Sequence, residues 1–252
     1  MKTSDKLVVM NWKCNPASSA EAKLLASASD SPNVIVCPPA PFLSLVAGKL
    51  KHASLGSQDG FYTEGAYTGE YSFAQLESLG VKYAILGHSE RRKNFGETSE
   101  SVSKKTLAAI NAGVIPIVCV GERKRTSVPS AIKTVIAQLN DSLSGVPKEK
   151  ADKIILTYEP VWAISTTSGG RNATLKEMAP VMEAMAERFQ KIFGKKAKVL
   201  YGGSVNPANA EIYAEAPDVS GVLVGGASLK LKEVPIVIAS LRHSRGSGNP
   251  VQ

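Results

Sequence analysis

Eight short apolar, β-branched runs recur along this chain, and each gives way to Gly, Pro, Asn or Ser punctuation and then to a segment of helical period. The runs are Leu7–Met10, Val34–Cys37, Ser54–Gly56, Tyr83–Leu86, Ile115–Val118, Ile154–Thr157, Val199–Leu200 and Gly221–Val224. Helical periodicity fills the gaps at Ser19–Ala28, Leu43–Leu50, Phe73–Leu79, Glu100–Ala112, Ser130–Leu143, Leu175–Phe193, Pro207–Glu215 and Glu233–Leu241. Strands that are continuously apolar are buried on both faces, which requires a parallel sheet covered by helices. Eight such units in 252 residues fit a closed α/β architecture, a single (βα)8 barrel, better than an open sheet. No linker or composition break divides the chain, so one barrel domain over residues 1–243 is expected. The remainder, 244–252, is poor in apolar residues and rich in breakers, which predicts a disordered tail.

Composition excludes several classes. The longest uncharged apolar runs, such as Ala112–Val120, are about half the length that a membrane-spanning helix needs. The first residues, Met1-Lys2-Thr3-Ser4-Asp5-Lys6, lack the apolar core and cleavage site of a secretory signal, so a cytoplasmic location is expected. Cys14, Cys37 and Cys119 are widely spaced and form no CxxC pair, which argues against a disulfide framework and a zinc site. Lys and Arg exceed Asp and Glu by 30 to 22, a net charge of +8. The basic residues form scattered short runs with no aromatic-laced stripe, so neither nucleic acid nor membrane is expected as a partner. The charge suits the steering of a small anion.

In a parallel barrel, reactive groups come from the C-terminal ends of the strands and the loops that follow. Asn11-Trp12-Lys13 follows the first run, Gly87-His88-Ser89-Glu90-Arg91-Arg92 the fourth, and Tyr158-Glu159-Pro160-Val161-Trp162 the sixth. Strand alternation would put Asn11 and Lys13 on one side and Trp12 on the other. A lysine, a histidine and a glutamate thus converge on one rim as cation, donor and carboxylate base. Any one of them could be a solvated cap or a satisfied structural residue, but the three together fit a reaction centre. Gly202-Gly203-Ser204 follows the seventh run, and Gly225-Gly226 follows the eighth with a helical segment opening behind it. Backbone N–H groups bared by glycine at a helix start form an anion site.

These blocks, with Gln58-Asp59-Gly60, Gly65-Ala66-Tyr67-Thr68-Gly69-Glu70 and Cys119-Val120-Gly121-Glu122, occur in the order found in the triosephosphate isomerase family, which the chain resembles over most of its length. The resemblance implies a TIM barrel and the interconversion of dihydroxyacetone phosphate and D-glyceraldehyde 3-phosphate through an enediolate, a step of glycolysis and gluconeogenesis that needs no cofactor or metal. By motif, Glu159 is the base, His88 polarises the carbonyl and passes protons between the oxygens, and Lys13 with Asn11 holds substrate and offsets negative charge. For this family a neutral imidazole at a helix start is the known arrangement. Ser89 and Glu90 could open such a helix here, and Glu90 could instead act as a partner behind the reacting groups. Ser165, Ser204, Gly225 and Gly226 are the implied phosphate contacts.

The departures lie elsewhere. Where the family continues Trp-Ala-Ile-Gly-Thr-Gly-Lys, the segment from Ser165 to Asn172 is about three residues longer by pairing, and Ser165 replaces a phosphate-facing glycine. This is the loop that serves the family as a water-excluding lid, and altered closing kinetics are expected. Asp59 stands where asparagine is usual, and Arg123-Lys124-Arg125 where an acidic helix is usual. The resemblance also implies a homodimer. The loop Phe61–Ser72 would dock into a second subunit, bringing Thr68 near Asn11 and Cys14 there, with Glu70 and Arg91 pairing to hold it. Two other classes compete: a phosphate-binding barrel without turnover, and a nucleic-acid binder whose affinity would fall steeply with salt. The intact set Asn11, Lys13, His88 and Glu159 favours the enzyme.

Overall fold

The computed structural model describes residues 6–164 and 172–242. The tail at 244–252, Ser165 and the rest of its segment up to residue 171 lie outside the described residues. Eight strands form: β1 (Leu7–Asn11), β2 (Val34–Cys37), β3 (Ser54–Ser57), β4 (Tyr83–Leu86), β5 (Ile115–Val120), β6 (Ile155–Tyr158), β7 (Lys198–Tyr201) and β8 (Gly221–Val224). Each pairs in parallel with the next, and β8 pairs back onto β1 from Leu7↔Gly221 to Met10↔Val224, closing the barrel. The closure depends on glycine at the start of β8, because a Cβ on Gly221 would lie 2.2 Å from the Leu7 carbonyl oxygen.

Between the strands run α1 (Ser19–Ser29), α2 (Leu43–Ala47), α3 (Phe73–Ser78), α4 (Ser89–Asn94), α5 (Ser99–Asn111), α6 (Val128–Ser142), α7 (Leu175–Phe193), α8 (Ala210–Glu215) and α9 (Val234–Arg242). Their starts are chemically marked. Ser18 accepts from the Glu21 N–H, and Ser72 with Gln75, Thr98 with Ser101, and Thr174 with Glu177 form reciprocal boxes that satisfy the first free N–H groups. Gly194, at φ 71°, ends α7 in the left-handed conformation.

The strands sort their side chains by parity. Val9, Ile35, Cys37, Ile85, Ile117, Cys119, Ile155, Leu200 and Leu223 form one buried cluster, the filling of the barrel. Their neighbours Val8, Met10, Val34, Val36, Ala84, Leu86, Val118, Val120, Leu156, Tyr158, Val199, Tyr201, Val222 and Val224 belong to the second cluster, between barrel and helices. Each large side chain buried in this way contributes roughly 1.5–3 kcal/mol. This two-sided burial is why the strands read as continuous apolar runs, and the same alternation sets which side chains face the barrel mouth.

Candidate active site

Continuing the inward parity past the strand ends names the rim. Val9 leads to Asn11, Ile155 through Thr157 to Glu159, Leu200 through Gly202 to Ser204, and Leu223 to Gly225. Asn11 and Glu159 are both buried, at 4% and 2% exposure. Lys13 arrives differently. The strand ends at Asn11, and Lys13 takes a left-handed φ of 54°, a costly conformation for lysine. Local bonds hold it there: its N–H donates to Asn11 Oδ1 at 3.0 Å, and Gln58 Nε2 donates to its carbonyl at 2.8 Å. Alternation therefore accounts for Asn11 and for fully buried Trp12, and the strained turn accounts for Lys13. In the fourth loop Gly87, at φ 71°, turns the chain so that His88 becomes the N-cap of α4.

The two central groups touch. His88 Nε2 lies 2.9 Å from Glu159 Oε1, and Ser89 donates its N–H to Oε2 at 2.8 Å and its hydroxyl to Oε1 at 2.9 Å. Burial pushes the Glu159 pKa up, but His88 and the Ser89 donors outweigh it, so the carboxyl is held below its ordinary value. His88 Nδ1 accepts from the Glu90 N–H at 3.3 Å. Burial opposes charge on its ring, yet the facing Glu159 carboxylate raises its pKa overall. An accepting Nδ1 belongs to the neutral ring, with the proton on Nε2. Most of the rise comes from contact with Glu159; without that carboxylate, burial, Lys13 and the helix start favour the neutral ring against the neighbouring Glu90.

Lys13 Nζ donates to Glu90 Oε1 at 2.5 Å, and Glu90 Oε2 stands 3.8 Å from His88 Nδ1. Glu90 thus sits behind both groups and orients the cation. Asn11, Lys13, His88 and Glu159 face one cavity of about 160 Å³, whose opposite wall is Gly202, Gly203, Ser204, Gly225 and Gly226. That volume suits a ligand smaller than the drug-sized molecules held in cavities of about 300 Å³ and above. A short 3-10 turn, Gly226–Leu229, opens at Gly225. A Cβ on Gly225 would come within 3.3 Å of Lys13 Cε, so glycine keeps the cation's approach clear. The Ser204 N–H donates to the Ala163 carbonyl at 3.1 Å.

Comparison with known proteins finds relatives along nearly the whole chain. The triosephosphate isomerase family model matches residues 6–241. A triosephosphate isomerase of Herminiimonas arsenicoxydans is 41% identical over 92% of this chain and 98% of its own length. Those of Colwellia psychrerythraea and Carboxydothermus hydrogenoformans are 37% and 40% identical, over 95% and 90% of this chain and 99% and 95% of their own lengths. The chain belongs to the triosephosphate isomerase family.

As a member of the triosephosphate isomerase family it is an isomerase. Among the described residues, no helix is long and apolar enough to cross a membrane. The residues expected at a subunit interface are placed as follows. Cys14, Thr68 and Glu70 are exposed on the surface. Arg91, within one chain, does not pair with Glu70 but with Asp59 at 2.8 Å, and lies 3.5 Å from Glu97.

Three supports of the site went unassigned in the sequence reading. Buried Glu122 accepts from the Tyr158 hydroxyl at 3.0 Å and the Trp162 indole at 2.6 Å. Arg92 donates to the Gly87 and Cys119 carbonyls, tying the His88 turn to β5. Lys105 donates to both Asp59 oxygens at 2.8 Å and to Glu97, whose second oxygen accepts the Gly87 N–H at 3.0 Å. Glu122 and Arg92 stand inside motifs that signalled the family; Asp59 lies 46 positions from Lys105, too distant in sequence to pair by eye.

Proposed function

We propose that this rim interconverts dihydroxyacetone phosphate and D-glyceraldehyde 3-phosphate by moving one proton between adjacent carbons. The phosphate lies against the Gly225 and Gly226 N–H groups and the Ser204 hydroxyl, which places the three-carbon chain between Glu159 and His88. The Glu159 carboxylate removes a proton from the carbon beside the carbonyl, and the electron pair left behind forms the enediolate. His88 Nε2–H donates to the carbonyl oxygen and relays a proton between the two oxygens. Glu159 then returns its proton to the neighbouring carbon. Lys13, oriented by Glu90, offsets the negative charge that develops on the oxygens.

The resting hydrogen bonds explain how a carboxylate with a depressed pKa can act as a base. Both Glu159 oxygens are occupied by Ser89 and His88. Turning toward substrate gives up these donors while burial persists, and burial raises the proton affinity of a carboxylate. The same turn frees His88 from the charge that favours imidazolium.

One observation carries the reading: a buried carboxylate and an imidazole 2.9 Å apart open onto a cavity shared with a lysine and two glycine pairs. A coupled assay of wild type and Glu159→Asp tests it. Withdrawing the carboxylate by one methylene should lower turnover about 10²-fold with little change in KM. Wild-type turnover in the variant would exclude Glu159 as the base.

A homodimer fits the surface. In the loop after β3, the Phe61 ring packs on Tyr62 and Tyr67, at 4.4 and 4.7 Å between centroids, and the Phe61 N–H donates to the Tyr71 carbonyl at 2.8 Å. The loop is thus shaped at its base while Tyr62, Tyr67 and Thr68 stand exposed. Docking into a second copy would bury those rings and cover exposed Cys14.

A further inference from the structure

The chain leaves the site after Ile164 and is described again from Asn172, and the side chain of Arg125 touches both flanks. Arg125 lies between β5 and α6. Its guanidinium carbon stands 5.5 Å from the centroid of the Trp162 indole, on the departing side. Its Nε donates to Glu177 Oε1 at 2.8 Å, and its Nη2 donates to the same oxygen, on the returning side. Glu177 Oε2 meanwhile accepts from the Thr174 N–H at 2.9 Å and hydroxyl at 2.8 Å, so the carboxylate is fixed to the first turn of α7. Trp162 is fixed in turn by its indole bond to Glu122, three residues before Arg125.

The Trp162 side of this link leads directly into the site. Trp162 is the middle residue of the 3-10 turn Val161–Ala163. The Ala163 carbonyl accepts the Ser204 N–H at 3.1 Å, and Ile164, the next residue, lines the cavity. Whatever shifts this turn shifts both the Ser204 wall, where the phosphate is placed, and the Ile164 wall.

We propose that Arg125 is a positioning residue for the isomerisation: by bridging Trp162 and Glu177 it sets the spacing of the two flanks of residues 165–171, and through the 161–163 turn it holds the Ser204 and Ile164 walls of the site. The proposal rests on the isomerase reading above. Arginine suits the task because its planar fork can meet a carboxylate edge-on while its face lies over an aromatic ring, whereas lysine offers a point charge. The side chain is 51% exposed, so the ion pair adds little to global stability and its effect is local. A loosened wall admits water to the enediolate. Its oxygen can then re-form a carbonyl as the carbon–carbon double bond shifts and the bond to phosphate breaks, the electron pair leaving with inorganic phosphate.

The test compares the full-length wild type with Arg125→Met and Arg125→Lys. Steady-state turnover and KM for dihydroxyacetone phosphate are measured with inorganic phosphate released per isomerisation and amide hydrogen exchange at 161–164 and 172–177. Arg125→Met should raise KM by about two- to five-fold, the range that a half-exposed ion pair with ring stacking carries. It should also raise phosphate release, speed exchange at both flanks and leave the thermal midpoint in place, with Arg125→Lys recovering part of the loss. An active wild type with an indistinguishable Arg125→Met overturns the positioning role alone. A wild type without isomerase activity overturns the isomerase reading, and this role with it.

Discussion

Lys105 is buried to 5% exposure between Asp59 and Glu97, with Arg91 closing the cluster from its half-exposed side. Burial of Asp59 costs more than Lys105 returns, so its pKa is raised above the ordinary 3.8. A carboxyl with a raised folded-state pKa binds its proton more tightly in the fold. Its contribution to stability therefore falls as pH rises from about 3.8 through the raised value. Asp59→Asn removes that slope, and its urea midpoint at neutral pH should equal or exceed the wild type's. Lys105→Met leaves two buried carboxylates short of a cation and should lose about 3–5 kcal/mol; a loss under about 1 kcal/mol in urea titration would show that Arg91 suffices. Asp59 was visible in the sequence as a departure from its family, but not its cost, which depends on a lysine 46 positions away. Of the rim residues, Asn11, His88 and Glu159 were legible because each stands at, or within two residues of, the C-terminal end of a strand. The strained turn that delivers Lys13, and the Ser89 donors that hold Glu159 at rest, are matters of backbone angle and reach.

At the scale of elements, burial on both faces made composition itself the strand signal, so all eight strands were legible, and so was α7, from Leu175 to Phe193. The ends were less so. β5 runs on to Val120 because Cys119 and Val120 pair with Thr157 and Tyr158, a register that only the neighbouring strand reveals. α8 begins at Ala210, not Pro207: the Asn206 N–H donates to Asn209 Oδ1 and the Ala208 N–H to Asn206 Oδ1, side-chain bonds that favour a turn over a helical start. Where β5 and β6 end, the approach is closest: a Cβ on Gly121 would stand 1.8 Å from the Glu159 carbonyl oxygen. Gly121→Ala should displace Glu159 and lower turnover by about 10²-fold while circular dichroism still reports the barrel; unaltered kinetics would mean that the rim absorbs the methyl. The start of α7 carries its own pH dependence. Hydrogen bonds from Thr174, then burial in opposition, then Arg125 bring the Glu177 pKa to about 2 from 4.5. Its stabilisation is complete above about 4.5 and is lost as pH falls toward 2. Acid titration should accordingly find Glu177→Gln less stable than wild type at pH 6, with the gap narrowing as pH falls; a constant gap would assign the loss to packing.

For the whole molecule, one alternation organises fold and chemistry together. The parity that fills the barrel with Val9, Ile155, Leu200 and Leu223 continues past the strand ends to Asn11, Glu159, Ser204 and Gly225. Assembly is the second property at this scale. Sedimentation should give twice the 26.6 kDa of one chain, and Tyr67→Asp at the exposed loop tip should shift the balance to monomer; a wild-type monomer at micromolar concentration would remove the docking role of that loop. In the proposed reaction Glu159 carries one proton between neighbouring carbons of a single bound triose phosphate. Isomerisation of dihydroxyacetone phosphate in D2O, followed by proton NMR, reads that transfer directly. In wild type the carbon beside the aldehyde should receive the proton that Glu159 carries, or solvent deuterium wherever that carboxyl proton exchanges before its return, and Glu159→Gln should lose that exchange together with turnover. Undiminished exchange in Glu159→Gln would mean that another group moves the proton.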